Sequence, residues 1–234
     1  MNLLSFNKKV LEKVAPIAFG YFIIGIACGM LGEKAGLNPF EMFTMSVLAY
    51  AGSSQFIGIA MIIQGASLLS IGLTIIIVNL RYVLFSSTLM KYLKEKSFPY
   101  LALFGHGITD ESFAVNLTAF EKEIPVWTHS EALSINFIGC IAWSFSTALG
   151  CYASEFINFD GALANYILTA MFFGIWSNYL IERKMIVIGL TAGILATLMA
   201  IYIPYKLHIV LATLIVSGLA SYLSLKYEGG ATHE

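Results

Sequence analysis

Charged side chains stand inside two otherwise apolar runs of the sequence. Arg81 lies near the centre of "VNLRYVL", within the run from Ser67 to Met90. The next run contains "GHGITDESFAVN", which places Asp110 and Glu111 near its middle. In a membrane, an arginine at such a depth costs roughly 2.5–3.5 kcal/mol on insertion scales, so it needs a partner or a cavity. The sequence therefore predicts an ion pair between Arg81 and Asp110 or Glu111.

This ion pair is expected if runs 68–90 and 100–120 form antiparallel helices joined by a short lysine-rich loop, which brings their centres to one depth. Five residues of the second run share one helical stripe: His106, Thr109, Asp110, Phe113 and Asn116. One arginine then faces two carboxylates, so the second carboxylate must be protonated or hold a cation. That pattern is typical of a proton site or a substrate ammonium subsite; the alternative is a structural ion-pair network.

Small polar residues form a second group in "AGSSQ", residues 51–55. Ser53, Ser54 and Gln55 interrupt the apolar run 41–64 with residues of low helix propensity or polar side chains. Broken helices are tolerated at membrane depth where they line a cavity. These three side chains, with Asn79 beside Arg81, are therefore candidate substrate-binding groups. The alternative for "GSSQ" is that it packs small residues at a helix crossing.

His106 has three possible roles in this sequence. It can be a packing histidine with a satisfied polar partner, or a member of a proton relay with the carboxylates. It can also be the base of an intramembrane serine hydrolase, because "GSSQ" fits a G-x-S-x pattern around Ser54. The hydrolase interpretation leaves Arg81, Asp110 and Glu111 without a role, so a non-enzymatic function is predicted.

The composition identifies the class of protein that must position these side chains. The 234 residues are 58% hydrophobic and only 12% charged, half the roughly 25% of a soluble domain. Apolar runs fall at about 14–31, 41–64, 68–90, 100–120, 131–153, 162–181, 185–203 and 207–225. Because a spanning segment must satisfy its own backbone, these runs predict an all-α, polytopic membrane helix bundle forming one transmembrane domain, 1–234.

Several classes of partner are excluded or disfavoured by the sequence. The net charge of −1 gives no reason to expect nucleic acid as a partner. Cys28, Cys140 and Cys151 lie in apolar runs without the spacing of a metal site or a disulfide framework, so neither metal nor cofactor is expected. The G-x-x-x-x-G-K-[ST] pattern of ATP-binding loops does not occur, which argues against direct ATP coupling.

Weak internal similarity suggests a repeat with halves 14–120 and 131–225. If 41–64 and 162–181 enter and return without crossing, six crossings remain and the lysines and arginines outside the core divide nine to three between the two sides. If all eight runs cross, the division is seven to five. The first arrangement gives three crossings per half, which requires the halves to be inverted, as in many transporters.

Glycines and aromatic residues give weaker signals. Gly25/Gly29 and Gly189/Gly193 have the four-residue spacing that permits close helix packing. Most of the prominent aromatic residues are interpreted as interfacial anchors or lipid contacts: Tyr21, Phe22, Trp127, Trp143, Phe172, Phe173, Trp176 and Tyr179.

Three motifs together carry a family resemblance: "AGSSQF" (51–56), "VNLRYVL" (78–84) and "TDESFAV" (109–115). In order and spacing they resemble the AzlC family, the large subunit of bacterial branched-chain amino acid exporters. The resemblance runs from about Pro16 into the seventh apolar run. By motif, the signature positions fall on Gln55, Asn79, Arg81, Asp110, Glu111 and Ser112.

The resemblance implies a multi-pass permease of the bacterial inner membrane that works with a small AzlD-type membrane subunit. It implies export of leucine, isoleucine, valine and their analogues, driven by the proton gradient. On this hypothesis Arg81 binds carboxylate together with Ser53, Ser54, Gln55 and Asn79, and the carboxylates with His106 bind ammonium or a proton. The alternative is a passive channel or scaffold subunit for another small polar solute.

Overall fold

The computed structural model describes residues 3–122, 127–154, 156, 166, 169, 183–202 and 207–228. Within them all regular secondary structure is helical, which confirms the all-α class. The helices are α1 (Lys8–Lys34), α2 (Pro39–Leu48), α3 (Gly52–Ile63), α4 (Leu68–Leu93), α5 (Phe98–His106), α6 (Asp110–Lys122), α7 (His129–Ser154), α8 (Arg183–Met199) and α9 (Leu207–Glu228). Of the described helices, α1, α4 and α7 are long and apolar enough to cross a membrane.

The chain forms two compact units. Met1–Gly65 and Asn79–Ile167 make the first, which contains all the candidate site residues. The second consists of Ala66–Val78 and Leu168–Glu234. Within it α8 packs against α9, and an added Cβ at Gly193 would meet no atom of the described residues within 4 Å. The predicted close packing through the glycines of run 185–203 is therefore not observed at Gly193. The predicted re-entrant run 162–181 lies outside the described residues, apart from 166 and 169.

Helices α1 and α7 form the centre of the first unit and run parallel. An added Cβ at Gly29 would collide with the Thr147 carbonyl, so the two backbones meet there, and one at Gly25 would collide with the Ser146 side chain, which packs against the Gly25 backbone. Gly150 makes the reciprocal contact with the backbone of Ile26. The predicted role of Gly25 and Gly29 in close packing is confirmed here.

Two of the predicted spans are each broken into two half-helices. Run 41–64 forms α2 and α3, separated by 49–51, one turn before the interruption predicted at 51–55. Run 100–120, predicted as one helix, forms α5 and α6, separated by 107–109. The single-helix prediction is wrong because Thr109 and Ser112 cap a new helix. The amide of Ser112 donates to Thr109 Oγ1 over 3.2 Å, and the amide of Thr109 donates to Ser112 Oγ over 2.9 Å.

Each pair of half-helices folds back on itself. In the first pair, Gln55 Nε2 donates to Ser46 Oγ over 2.8 Å, so the start of α3 lies beside the end of α2. A straight helix would separate these residues by about 13 Å, at 1.5 Å per residue. In the second pair, Tyr100 near the start of α5 and Glu121 near the end of α6 both contact the same end of the unit.

That end, called here the lysine-rich end, is defined by four contacts. They are Asn7–Glu131, His129–Tyr92 carbonyl, Tyr100–His129 carbonyl and Lys91–Glu121, which join the starts of α1, α5 and α7 to the ends of α4 and α6. The opposite end is marked by Glu33–Ser154 and Leu37–Cys151, where α1 and α7 end and α2 is about to begin. If run 100–120 crossed as one helix, as expected from the sequence, Lys122 would lie at the end opposite Lys91, but it lies at the same end.

The part of α4 in the first unit runs parallel to α6, not antiparallel to it. Arg81 contacts Asp110, the ring of Phe85 stacks on Phe113 at 4.3 Å, and the ring of Tyr92 stacks on Phe120 at 4.9 Å. From one contact to the next, the residue numbers increase along both helices. The two helices therefore run parallel, and the predicted antiparallel pairing is wrong. The reason is that α5 follows α4 in the sequence and runs back in the opposite direction, so α6 again runs in the direction of α4.

The elements α1–α3 and α4–α6 form a repeat that lies within the first predicted half. Their helices contain 27, 10 and 12 residues and then 26, 9 and 13 residues. The hairpin α2–α3 begins at the end opposite the lysine-rich end, and α5–α6 begins at the lysine-rich end. The repeat is therefore inverted. The longer repeat, 14–120 and 131–225, stays a prediction because run 162–181 is outside the described residues.

Candidate functional site

Arg81 lies where the two half-helix breaks approach each other. Its Nη1 is 3.2 Å from Asp110 Oδ2 at the start of α6, and its Nη2 donates to the hydroxyl of Ser53 at the start of α3. Nη2 also lies 3.3 Å from the Tyr82 hydroxyl. The predicted ion pair between Arg81 and Asp110 is thus present, and the arginine joins the first turns of two helices.

Glu111 is held apart from this ion pair. The hydroxyl of Tyr21, on α1, donates to Glu111 Oε2 over 2.7 Å and lies 2.6 Å from Thr109 Oγ1. Tyr21 and Arg81 are the fourteenth residues of α1 and α4, so equivalent positions of the inverted repeat both contact the start of α6. Asp110 therefore pairs with Arg81, whereas Glu111 binds the neutral Tyr21. One arginine for two carboxylates is the imbalance of charge expected from the sequence.

Ser54 and Asn79 form a second link between α3 and α4. The Ser54 hydroxyl donates to Asn79 Oδ1 over 2.5 Å, one residue along from the Ser53–Arg81 contact. Four of the predicted substrate-binding residues are therefore together: Ser53, Ser54, Asn79 and Arg81.

Gln55 belongs to a different cluster. Its Oε1 accepts from Trp143 Nε1 over 2.6 Å, and its Nε2 donates to Ser46, whose hydroxyl lies 2.8 Å from Thr147 Oγ1. Gln55 is 4% exposed, and the amide oxygen and nitrogen both have protein partners. This network holds the first hairpin against α7, so we assign Gln55 a structural contact and not a position beside Arg81.

His106 ends α5 and contacts the end of α2. Its Nε2 lies 2.8 Å from the carbonyl oxygen of Val47, so it joins the two half-helices that precede the breaks. The Ser54 hydroxyl is bonded to Asn79 instead. The described geometry therefore contains no Ser54–His106 hydrogen bond of the kind that a serine hydrolase needs.

The starts of α3 and α6 differ in their capping. Among the described residues no side chain caps α3, and its first turn contains no acidic residue. The start of α6 is capped by Thr109 and Ser112 and carries Asp110 and Glu111. Because a helix start attracts anions and carboxylates attract cations, the uncapped start of α3 next to Arg81 is the candidate position for an anion, and the start of α6 is the candidate position for a cation.

Buried aromatic residues are the part of the site that sequence reasoning missed. Tyr21, Trp127 and Trp143 are at most 7% exposed and each makes a side-chain hydrogen bond, so their interpretation as interfacial or lipid contacts is wrong. Phe22 is 47% exposed and fits that interpretation. The signal available in the sequence was that tyrosine and tryptophan carry a polar atom that needs a hydrogen-bond partner when it is buried. Phe172, Phe173, Trp176 and Tyr179 lie outside the described residues.

Asn116 and Asn136 brace the second hairpin against α7. Asn116 Nδ2 donates to Asn136 Oδ1 over 3.0 Å, and Asn116 Oδ1 accepts from Trp127 Nε1 over 3.1 Å. Asn136 Nδ2 donates to the carbonyl of Phe104 over 3.0 Å. The predicted stripe residue Asn116 is therefore buried in a packing network away from Arg81.

These features define a helical membrane protein with a charged site between broken helices. A sequence model of the family described as "AzlC protein" matches residues 16–157, more than half of the chain. The chain belongs to this AzlC family, which confirms the predicted resemblance.

Individual relatives agree with this assignment. The chain is 29% identical to "Inner membrane protein YgaZ" of Escherichia coli, over 60% of this chain and 58% of that protein. It is 30% identical to an uncharacterized membrane protein of Helicobacter pylori, over 70% of this chain and 72% of that one. It is 23% identical to "Branched-chain amino acid transport protein AzlC" of Bacillus subtilis, over 72% and 66%. No solved structure matches the chain.

Proposed function

We propose that this protein is a transporter subunit that exports branched-chain amino acids, namely leucine, isoleucine, valine and analogues. The observation that carries the proposal is Arg81 bonded to Asp110 and Ser53 where the starts of α3 and α6 meet. A zwitterion needs a cationic and an anionic subsite a few ångströms apart, and this junction has both. The name of the Bacillus subtilis relative supports the choice of substrate class.

The substrate carboxylate would bind at the uncapped start of α3, with Ser53 and Arg81 donating hydrogen bonds. Nε of Arg81 is buried and has no hydrogen-bond partner among the described residues, so one donor is still available. The ammonium group would bind near Asp110 and Glu111. The internal ion pair between Arg81 and Asp110 would then be exchanged for contacts with the two ends of the substrate.

Selectivity in such a site would be broad among small apolar amino acids. An apolar pocket distinguishes ligands that differ by one methylene by only about 1–3 kcal/mol. Leucine, isoleucine, valine and methionine are therefore expected to compete with one another.

Energy coupling would come from the proton gradient. Glu111 has a hydrogen bond from Tyr21 but no salt bridge among the described residues, so it can exchange a proton without breaking the Arg81–Asp110 pair. His106 binds a backbone carbonyl, and its predicted place in a proton relay has no contact to either carboxylate in the hydrogen bonds described. A small AzlD-type membrane subunit would complete the transporter, as the family resemblance implies.

The test is leucine accumulation in exporter-deficient bacteria that are fed a leucine dipeptide. Cells would express the chain with its candidate small subunit, as wild type or as Arg81→Ala, at matched membrane levels. We expect wild type to lower intracellular leucine and Arg81→Ala to lose at least tenfold of the export rate, because a charged group of the site is removed.

Lys91→Ala is the matched control. Lys91 pairs with Glu121 at the lysine-rich end, where both side chains are about half exposed, so its removal should leave export unchanged. Equal export by wild type and Arg81→Ala would contradict the proposed site. No export by wild type of any branched-chain amino acid would contradict the proposed substrate.

A further inference from the structure

Three buried side-chain atoms in the described part of the chain have no hydrogen-bond partner. They are the hydroxyl oxygens of Tyr50 and Ser144 and Nε of Arg81. Buried polar atoms are nearly always hydrogen-bonded in folded proteins, so each exception calls for an explanation. Two of the three, in Tyr50 and Arg81, lie in residues next to the uncapped start of α3. A ligand in the site would supply their missing partners.

Tyr50 lies in the break between α2 and α3 and is 5% exposed. Its ring meets that of Tyr21 edge-on, with 6.2 Å between centroids. Its hydroxyl lies against Gly139 of α7, where an added Cβ would be 2.7 Å from the oxygen. The hydroxyl is thus directed from the tip of the first hairpin towards α1 and α7.

The groups around this hydroxyl favour a cationic ligand atom. The ring of the neighbouring Tyr21 meets the Tyr50 ring edge-on, and the Tyr21 hydroxyl donates to Glu111 Oε2 over 2.7 Å. The Glu111 carboxyl offers oxygen acceptors to a cationic donor. The Tyr21 hydroxyl gives its one proton to Glu111 and so has none to donate to the Tyr50 oxygen, which makes no hydrogen bond of normal geometry among the described residues.

We propose that the Tyr50 hydroxyl is a substrate-binding group that accepts a hydrogen bond from the ammonium group of the transported amino acid, beside Glu111. This inference rests on the proposed function and adds a residue and an orientation to it. An ammonium group has three donors, and Glu111 and Tyr50 supply acceptors on one side of the site. The carboxylate then lies towards Ser53, Arg81 and the start of α3.

The test uses Tyr50→Phe, which removes one atom that has no protein partner. Loss of an unpaired buried hydroxyl should leave the melting temperature without ligand unchanged or higher. The affinity for leucine should fall roughly tenfold or more, because a hydrogen bond to a charged group is lost. Both quantities come from melting curves of the purified protein, with its small subunit, over a series of leucine concentrations.

Tyr152→Phe is the matched control, since Tyr152 is 52% exposed on α7 and should change neither quantity. Unchanged leucine affinity in Tyr50→Phe would overturn the inference. A fall in melting temperature without ligand would also overturn it, because the hydroxyl would then have a structural role. If wild type itself shows no shift with leucine, isoleucine or valine, the proposed function fails, and the inference fails with it.

The double variant Tyr50→Phe/Glu111→Gln tests the orientation. If both groups bind the same ammonium group, the double variant should lose less affinity than the product of the two single losses. Independent losses that multiply would place the hydroxyl away from the amino group and overturn that assignment.

Discussion

Arg81 shows how a few side chains define the site. Its guanidinium contacts Asp110, Ser53 and Tyr82 at once, because a planar, forked cation presents several N–H donors in fixed directions. The arginine therefore joins the uncapped start of α3 to the start of α6, which carries the carboxylates.

The Gln55 network makes a separate prediction about stability. Gln55→Ala should lower the free energy of unfolding by about 1–3 kcal/mol, because Trp143 Nε1 and Ser46 each lose a buried partner. Gln64→Ala, at the exposed end of α3, is the control and should cost little. Melting of the two purified variants measures the difference. Equal melting temperatures would show that the network contributes nothing to the hairpin.

The ion pair could be predicted from sequence, whereas most of its surroundings could not. A charge in an apolar run needs a partner, and the carboxylates inside the neighbouring apolar run were the ones that could lie at the same depth as Arg81. Tyr21, Tyr50 and Trp143 gave no such signal, because aromatic residues are common in membrane helices and usually need no polar partner. Their roles depend on contacts between residues about 90 positions apart, such as Gln55 with Trp143.

The helical elements are positioned by contacts between small residues. Gly29 and Gly150 let α1 and α7 meet backbone to backbone, and Gly25 makes room for the Ser146 side chain. Helix α7 in turn contacts both hairpins through Trp143 and Asn136. The separation of the two hairpin tips is therefore set by the α1–α7 pair.

Gly29→Val tests this arrangement. Its Cβ would collide with the Thr147 carbonyl and lie 2.6 Å from the Cys151 amide, and backbone atoms cannot move aside as a flexible side chain can. We expect a loss of about 1–3 kcal/mol or more, with low yields of folded protein. Gly20→Val on the same helix is the control, because nothing lies within 4 Å of its added Cβ. Similar yields and melting temperatures for both variants would contradict the proposed packing.

Sequence periodicity predicted the existence of these elements better than their direction. The break in 41–64 was visible because polar residues interrupt it. The break in 100–120 was missed because Asp110 and Glu111 were placed in mid-helix, although acidic residues after a threonine also begin helices. That one difference reversed the expected direction of α6 relative to α4.

For the first unit as a whole, the hairpins determine which end each loop occupies. Seven of the eight lysines in residues 3–154 lie near the lysine-rich end: Lys8, Lys9, Lys13, Lys91, Lys94, Lys96 and Lys122. Only Lys34 lies near the other end. The positive-inside rule therefore predicts that the lysine-rich end faces the cytoplasm.

Labelling of single cysteines from either side of the membrane tests this topology. Lys96→Cys and Lys122→Cys, introduced after replacing the three native cysteines, should react with an impermeant maleimide from the cytoplasmic side. Gln64→Cys should react only from the outer side, because it follows α3 at the opposite end. Reaction of Lys96→Cys and Lys122→Cys from opposite sides would show that 98–122 crosses the membrane.

The contacts between the hairpins and α7 also bear on the order of biosynthesis. Ser46 and Gln55 leave the ribosome about 90–100 residues before their partners Thr147 and Trp143. Half-helices of 9 to 13 residues are too short for the translocon to release as stable spans. We therefore expect both hairpins to reach their final positions only after α7 has been inserted. A nascent chain arrested before residue 129 would contain the charged residues Arg81, Asp110 and Glu111 but no completed site.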